Sequence, residues 1–346
     1  MEEQRSIGRQ VALVLVVFVA TFVLLAGSRA LIGASGAAGP SSAVASGASS
    51  GAIGSLAPGD SAAGSSGNPL LAPSFGPDPS GTVVITGAGD IAVCGTDGAR
   101  QTSDLLINQP GGIFTAGDNA YETGSAQQFA ACYDPTWGRI KDRTILPVAG
   151  NHDWVTAGAA GYLGYFGATA APSGTTWYSR DLGAWHVVVL DSDCTLVGGC
   201  DLASPQGRWL ASDLAASSAR CTLALWHHPR FSSGLHGDDT EVGPFWDLLE
   251  RDGAELVING HDHDYERFAP QDPSGKEQRP GGIREIVVGT GGADLRSFTH
   301  TAANSEFRLS GTYGVLRLTL HPANYDWEFL PVDSHAITDY GSAPCH

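Results

Sequence analysis

The sequence of 346 residues carries a net charge of −17, with 42% hydrophobic and only 16% charged residues. Such an acidic chain lacks the basic surface that a protein needs to coat nucleic acid, so its composition argues against that class. A single long apolar run excludes several membrane spans. Small anionic substrates remain compatible with the charge, because bound metal ions supply local positive charge.

The first feature along the chain is an uncharged apolar run at residues 11–27, preceded by Arg5 and Arg9. A membrane-spanning helix needs roughly 17–25 apolar residues, whereas the core of a signal peptide usually has about 7–15. The length favours an uncleaved anchor, with a cleaved signal peptide as the alternative. In either case the positive-inside rule keeps residues 1–10 in the cytoplasm and predicts export of the rest.

Residues 28–80 form a segment that consists almost entirely of Gly, Ser, Ala and Pro. Such a segment cannot bury enough apolar surface to offset the entropy lost on ordering, so it is predicted to be a disordered tether. The folded unit is therefore expected to begin at Gly81 and to occupy residues 81–346 as one domain.

From residue 81 onward, short apolar runs alternate with helical patterns. Strands are predicted at 82–85, 112–116, 144–149, 185–190, 221–226, 255–258, 283–288, 314–320 and 325–330, and helices at 98–108, 125–131, 204–216 and 242–251. Ser204 is the expected N-cap of the third helix, and Pro205 suits its first turn. Alternating strands and helices followed by a strand-rich end predict an α/β sandwich with mixed sheets.

The six cysteines all lie in the part that is predicted to be exported, and none forms a CxxC pair. Their spacing argues against a zinc ribbon or a thioredoxin-like site, and an even number outside the cytoplasm indicates disulfides. Cys194 and Cys200 bracket a short loop and are expected to pair. A bond between Cys94 and Cys132 is a further hypothesis, because it would join two loops beside the expected site.

Residues able to bind metal ions follow five of the predicted strands. These motifs are Gly89-Asp90, Gly117-Asp118-Asn119-Ala120-Tyr121, Gly150-Asn151-His152-Asp153, His227-His228-Pro229 and Gly260-His261-Asp262-His263. In open α/β sheets, ligands bind at the carboxyl ends of the strands. Alternate histidines in the last motif would face the same way on an extended backbone. Taken alone, the first three motifs are typical of turns or a helix cap, and His227-His228-Pro229 of ordinary packing, while the last motif is a stronger signal. The ordered set predicts a metal site.

As an ordered set, the motifs resemble those of the calcineurin-like metallophosphoesterases, and within them the purple acid phosphatases. The resemblance covers roughly residues 82–267 and, more loosely, the GTGGAD stretch that follows. The subfamily is indicated by two details: the Asp90 motif lacks the Asp-x-His histidine of many metallophosphoesterases, and Tyr121 stands three residues after Asp118. The resemblance implies an α/β fold with two mixed β-sheets packed as a sandwich and flanked by helices (αββα).

Carried over position by position, the resemblance implies a centre of two metal ions. Asp90, Asp118, Tyr121 and His263 would hold the first ion, and Asn151, His227 and His261 would complete the second, with Asp118 bridging. A phenolate favours trivalent iron, so Fe(III) is expected at the Tyr121 site and Fe(II), Zn or Mn at the other. His227 is the expected ligand rather than His228, because the family's ligand lies two residues before the proline.

The implied reaction is hydrolysis of a phosphomonoester by a metal-activated hydroxide, which requires a general acid for the departing oxygen. His152, beside Asn151, and His236, on the loop FSSGLHGDD, are the two candidates, and Asp153 is expected to orient or tune His152. The remaining histidines are interpreted as structural or surface residues; they are His186, His300, His321, His335 and His346.

Three functions stay open at this point. The acidic surface favours small phosphomonoesters over long polyanions, which indicates a phosphatase with no nucleic-acid partner. A phosphodiesterase or nucleotidase on the same scaffold is the close alternative. A non-catalytic surface-binding module is the third, but no expected ligand position is lost. The expected location is extracytoplasmic, with the protein either secreted or held at the membrane by its N-terminal segment.

Overall fold

A computed structural model describes residues 76–346 of the chain. The anchor or signal peptide predicted at 11–27 and most of the tether predicted at 28–80 lie outside the described residues. Within the described part, no helix combines the length and the apolar character needed to cross a membrane.

The described residues form thirteen β-strands. In chain order they are β1 (Val83–Ala88), β2 (Gly112–Thr115), β3 (Thr144–Leu146), β4 (Tyr178–Leu182), β5 (Trp185–Val189), β6 (Cys221–Leu225), β7 (Leu256–Asn259), β8 (Tyr265–Phe268), β9 (Arg284–Val288), β10 (Ser305–Leu309), β11 (Gly314–Leu320), β12 (Asn324–Pro331) and β13 (Tyr340–Pro344). Every strand predicted from the sequence is present, and β4, β8, β10 and β13 are additional.

The strands build two mixed sheets. The first sheet has the order β13-β12-β11-β1-β2-β3, and the second has the order β10-β8-β9-β7-β6-β5-β4. In the first sheet β1, β2 and β3 are parallel, and in the second sheet β5, β6, β7 and β9 are parallel. Each sheet therefore has a parallel group whose carboxyl ends lie at one edge.

The α-helices of the described part connect these strands. They span Gly98–Ile107, Ala126–Gln128, Asn151–Val155, Ala160–Phe166, Cys194–Val197, Pro205–Ala216 and Gly243–Asp252. The helix predicted at 125–131 begins as α-helix and continues as a π-helical turn at Phe129–Tyr133. Ser204 caps the helix Pro205–Ala216 by accepting a hydrogen bond from the amide of Gly207, as the sequence predicts.

The core lies between the two sheets and beneath the helices. Val187 and Val189 of β5 pack in one cluster with Leu316 of β11, so this face of the second sheet is buried against the first. Val188, on the opposite face, packs with Trp246 and other residues of the helices Pro205–Ala216 and Gly243–Asp252. This alternation follows from the two-residue period of a strand and buries both faces of the sheet. The predicted αββα sandwich is confirmed.

Three disulfides join the six cysteines. The bonds Cys94–Cys132 and Cys194–Cys200 confirm the two predicted pairings. The third bond joins Cys221, at the start of β6, to Cys345, just after β13. It therefore links a central strand of the second sheet to the edge of the first.

His186 on β5 predicts a pH-dependent contribution to stability. Its Nδ1 lies 2.9 Å from Asp181 and its Nε2 lies 2.9 Å from Asp213, so both ring nitrogens face carboxylates. The hydrogen bond to Asp213 is the main cause that raises the pKa of His186 above its usual value. Because the folded state favours the charged ring, this stabilisation is complete below the unfolded pKa of about 6.5 and is lost as pH rises through the folded pKa.

We therefore expect His186→Gln to lower the free energy of unfolding more at pH 5.5 than at pH 9. Urea unfolding of both proteins across this range measures the difference. A loss that is the same at every pH would show that His186 acts by packing alone.

Candidate metal centre

The candidate residues lie where the two parallel groups of strands end. Asp90 follows β1, Asp118 follows β2, Asn151 follows β3, His227 follows β6, and His261 and His263 follow β7. The carboxyl ends of both sheets meet at this edge, which brings residues far apart in sequence into contact. The last junction leads into β8 rather than into a helix.

The first group of donor atoms surrounds the hydroxyl of Tyr121. This hydroxyl lies 2.7 Å from Oδ1 of Asp90, 3.1 Å from Oδ2 of Asp118 and 3.2 Å from Nε2 of His263. All four side chains are almost fully buried. Three oxygens and one imidazole nitrogen therefore converge on one point.

The second group of donor atoms surrounds Nε2 of His227. This nitrogen lies 3.1 Å from Oδ1 of Asn151, 3.2 Å from Nδ1 of His261 and 3.3 Å from Oδ2 of Asp118. Oδ2 of Asp118 thus contacts a member of each group. The structure brings all seven predicted ligands together as two sets of four donors that share one carboxylate.

Several of these residues hold an unusual backbone conformation. Asp90, Asp118 and His261 have φ angles of 59°, 51° and 71°, in the left-handed region that non-glycine residues rarely adopt. This geometry corrects the expectation of an extended backbone in the Gly-His-Asp-His motif. His261 and His263 reach different donor groups rather than facing the same way. Strained residues of this kind cluster at functional sites, where the surrounding structure holds them.

The glycines of the motifs allow the loops to approach one another. A Cβ atom at Gly117 would lie 2.3 Å from Nδ1 of His227, and one at Gly150 would lie 2.4 Å from Oδ1 of Asp118. Neither position has room for a side chain without displacing a donor residue.

Backbone groups fix the orientation of the donor side chains. Nδ1 of His227 lies 2.8 Å from the carbonyl oxygen of Ala116, and Nδ1 of His263 lies 2.7 Å from that of Asp294. Each Nδ1–H donates to a carbonyl, which leaves Nε2 directed into the site. The amide of His261 donates to Oδ2 of Asp90, at 2.8 Å.

Two buried carboxylates of the site, Asp90 and Asp118, each interact with an imidazole, and these interactions change the pKa values of both kinds of group. Burial alone would raise the pKa of Asp90, but the charge and hydrogen bond of His263 outweigh it and lower the pKa to about 2. Burial would lower the pKa of His227, but the carboxylate of Asp118 raises it to about 10. Burial and the two carboxylates raise the pKa of Tyr121. The negative charge of the site thus needs a positive partner, which protonated imidazoles or metal ions supply.

The donor chemistry fits a pair of metal ions. Asp90, Asp118 and His227 are buried and offer ligand atoms within 4.8 Å of one another. Carboxylate, phenol, amide and imidazole donors suit iron, zinc and manganese, and the absence of thiolates from the set disfavours softer ions.

The neighbouring His228 is the alternative to His227. His228, together with His227 and His261, also offers a donor atom within the 4.8 Å limit. Its Nδ1 lies 2.8 Å from Oγ of Ser192, and its ring centroid lies 4.3 Å from that of His261. Unlike His227, it contacts neither Asp118 nor Asn151 by a hydrogen bond within the described residues. The geometry supports the prediction that His227 is the ligand.

His152 lies at the rim of the first donor group. Its Nε2 is 3.9 Å from Oδ2 of Asp118, and its ring centroid is 4.4 Å from that of Tyr121. Its Nδ1 is 2.7 Å from the carbonyl oxygen of Glu122, which fixes the ring. His152 is therefore placed to reach a substrate held by the centre.

Asp153 does not orient His152, contrary to the sequence-based expectation. Its carboxylate is fully buried and accepts hydrogen bonds from the backbone of Gly150 and from the backbone and side chain of Asn119. Burial and the charge of Asp118 raise its pKa to about 7. Asp153 thus ties the loop after β2 to the loop after β3, and the carbonyl of Glu122 orients His152 in its place.

His236 lies next to His261, a member of the second donor group. Its ring centroid is 4.3 Å from that of His261, and its amide donates to Oδ1 of Asp262 at 2.8 Å. Its Nε2 lies 2.6 Å from Nη1 of Arg296. Arg296 belongs to none of the five motifs, although it closely follows the GTGGAD stretch.

Comparison with known proteins supports this picture. A family model described as "Calcineurin-like phosphoesterase" matches residues 85–265. Purple acid phosphatase 15 of Arabidopsis thaliana is 29% identical over 245 residues, which cover 59% of this chain and 45% of that protein. Acid phosphatase type 7 of Homo sapiens is 27% identical over 207 residues, which cover 49% of this chain and 47% of that protein. The chain spans about half the length of these curated relatives.

A solved structure shares the fold. The purple acid phosphatase PPD1 from yellow lupin seeds superposes with a TM-score of 0.62 at 19% identity, covering 77% of this chain and 54% of that one. At this level of identity the likeness concerns the arrangement of the sheets.

Proposed function

This chain belongs to the calcineurin-like phosphoesterase family, and from that membership we propose that it is an extracytoplasmic phosphatase that hydrolyses phosphomonoesters at a centre of two metal ions. The observation that carries the proposal is the position of Asp118, whose Oδ2 lies 3.1 Å from Tyr121 and 3.3 Å from His227. A carboxylate oxygen between two donor groups is suited to bridge a pair of cations.

The two donor groups give each ion a distinct set of ligands. Asp90, Asp118, Tyr121 and His263 would hold one ion, and Asp118, Asn151, His227 and His261 would hold the other. The phenol of Tyr121 favours Fe(III) in the first group, since a phenolate is a hard anionic donor. The second group, with its amide oxygen and two imidazoles, suits Fe(II), Zn or Mn.

The metal ions and the residues around the centre would have separate roles in the reaction. The bound ions would supply Lewis acidity, which lowers the pKa of water and neutralises charge on the phosphoryl group. His152 presents Nε2 toward Asp118 and is the proposed donor of a proton to the departing oxygen. Its side chain is 29% exposed, so solvent can reach it. Asn151, in the loop after β3, and His261, in the loop after β7, both contact Nε2 of His227.

The proposed location rests on the cysteines and on the N-terminal sequence. Three disulfides are typical of proteins outside the cytoplasm. The apolar run at residues 11–27 would direct export and either anchor the chain or be cleaved.

The experiment that tests the proposal uses Tyr121→Phe. We expect the purified protein to hydrolyse p-nitrophenyl phosphate, to contain iron and to absorb visible light through charge transfer from the phenolate to Fe(III). Removal of the Tyr121 hydroxyl should abolish the absorption band, because it removes the phenolate donor. Visible spectra and metal analysis of both proteins measure this.

Tyr325→Phe is a suitable control, because Tyr325 is a buried tyrosine that packs against Trp185 in the core. The band should be unchanged in this variant. A colourless protein that contains no iron but is fully active would contradict the assignment of Fe(III).

A further inference from the structure

Arg296 places a positive charge beside the proposed metal centre. Its Nη1 lies 2.6 Å from Nε2 of His236, whose ring centroid is 4.3 Å from that of His261. Its side chain is 27% exposed, so the guanidinium is partly shielded but open to a ligand. Its Nε lies 3.5 Å from Oδ2 of Asp294, whose side chain is 77% exposed.

The backbone holds Arg296 in a fixed position relative to the donor loops. The amide of Ala293 donates to the carbonyl of Asp90 at 2.8 Å, and the amide of Arg296 donates to the carbonyl of His263 at 3.0 Å. The amide of Gly291 donates to the carbonyl of Gly89 at 2.9 Å. The loop after β9 is therefore bonded to the loops after β1 and β7, and Arg296 is preorganised with respect to both.

The hydrogen bond between Arg296 and His236 determines what each side chain offers a ligand. A guanidinium can only donate, so Nε2 of His236 accepts and the proton of the neutral ring resides on Nδ1. Arg296 has five N–H donors; this bond uses one of them, and the Nε–H lies near Asp294. The remaining N–H groups of Arg296, together with its positive charge, are suited to an oxyanion.

We propose that Arg296, held by its hydrogen bond to His236, forms a subsite that binds the peripheral oxygen of a phosphomonoester and thereby selects monoesters over diesters. This inference rests on the proposed function. A monoester has three non-bridging oxygens and a charge of about −1.5 to −2 at pH 7. When two of these oxygens face a pair of metal ions, the third remains for Arg296. A diester has no third oxygen of this kind, because a second alcohol occupies its place.

The test compares Arg296→Gln with the unaltered protein, both loaded with metal. We expect kcat/KM for p-nitrophenyl phosphate to fall roughly 10- to 100-fold, as for loss of a hydrogen bond to a charged group. The value for bis(p-nitrophenyl) phosphate should fall less than about threefold, because the diester makes no such bond. Calorimetry should show binding of inorganic phosphate to the metal-loaded protein weakened about tenfold or more.

A conservative variant and a matched control are compared with Arg296→Gln. Arg296→Lys should recover part of the phosphate binding, because it keeps the charge but loses the fork of donors. Arg100→Gln is the matched control, since Arg100 is exposed and forms surface ion pairs with Asp97 and Asp104. It should leave phosphate binding and both activities unchanged.

Equal losses for the two esters, or unchanged phosphate binding in Arg296→Gln, would overturn the subsite. Failure of the proposed function itself would be recognised separately, because the unaltered protein would then fail to hydrolyse p-nitrophenyl phosphate. Phosphate binding is measured without turnover and so tests the subsite in either case.

Discussion

Asp118→Asn is expected to reduce kcat for p-nitrophenyl phosphate on the order of 10³-fold or more, because in the proposed centre a carboxylate shared by two metal ions would contribute several kcal/mol. Asp118 is buried, and its Oδ2 contacts a member of each donor group. Asparagine has nearly the same shape, so Oδ1 can still accept the hydrogen bond from the amide of His152. The substitution therefore removes the shared charge with little change in packing. Steady-state kinetics and metal analysis by mass spectrometry measure the two effects, and the metal content should fall below two ions per chain.

The control for this variant is Asp134→Asn. Asp134 is an exposed residue that accepts a hydrogen bond from the hydroxyl of Tyr165, away from the donor loops. It changes the net charge by the same amount and should leave kcat and metal content unaltered. Retention of two ions and of more than a tenth of the activity in Asp118→Asn would remove the bridging role from the proposal.

The positions of the seven donor residues could be predicted from the sequence because each follows a strand. The strands are marked by runs of β-branched residues such as Val83–Ile85 before Asp90, and the residue after the turn must lie at the sheet edge. The order of the motifs along the chain indicates which residue would belong to which metal ion. A sequence does not give the backbone angle of His261, which is set by contacts with the loops after β1 and β6.

The elements and residues that could not be predicted from the sequence depend on contacts between distant parts of the chain. The strand β13 contains Gly341 and Pro344 and lies at the edge of its sheet, where its residues are half exposed. Its position depends on pairing with β12 rather than on its own apolar pattern. Arg296 likewise reaches the centre through backbone hydrogen bonds between distant loops, and no spacing between neighbouring residues signals such contacts. Asp153 follows the candidate acid His152 in the sequence, but its buried carboxylate accepts hydrogen bonds from the backbone amides of Asn119 and Gly150 instead.

The disulfide Cys221–Cys345 is expected to contribute the largest share of stability among the three. It joins cysteines 124 residues apart, whereas Cys194–Cys200 spans 6. In the chain-entropy model, removal of the long loop closure costs about 5 kcal/mol and removal of the short one about 2 kcal/mol. We expect Cys221→Ala with Cys345→Ala to lower the free energy of unfolding accordingly, as measured by urea denaturation monitored by fluorescence.

The matched control is Cys194→Ala with Cys200→Ala, which also removes one bond between buried cysteines. Its loss of stability should be clearly smaller. Cys221 begins β6 in the second sheet, and Cys345 follows β13 at the edge of the first, so the long bond fastens one sheet to the other. Equal losses in the two double variants would show that the bonds act through local packing. A larger loss for Cys221–Cys345 would indicate that the bond holds together the two sheets whose adjoining edges carry the candidate metal centre.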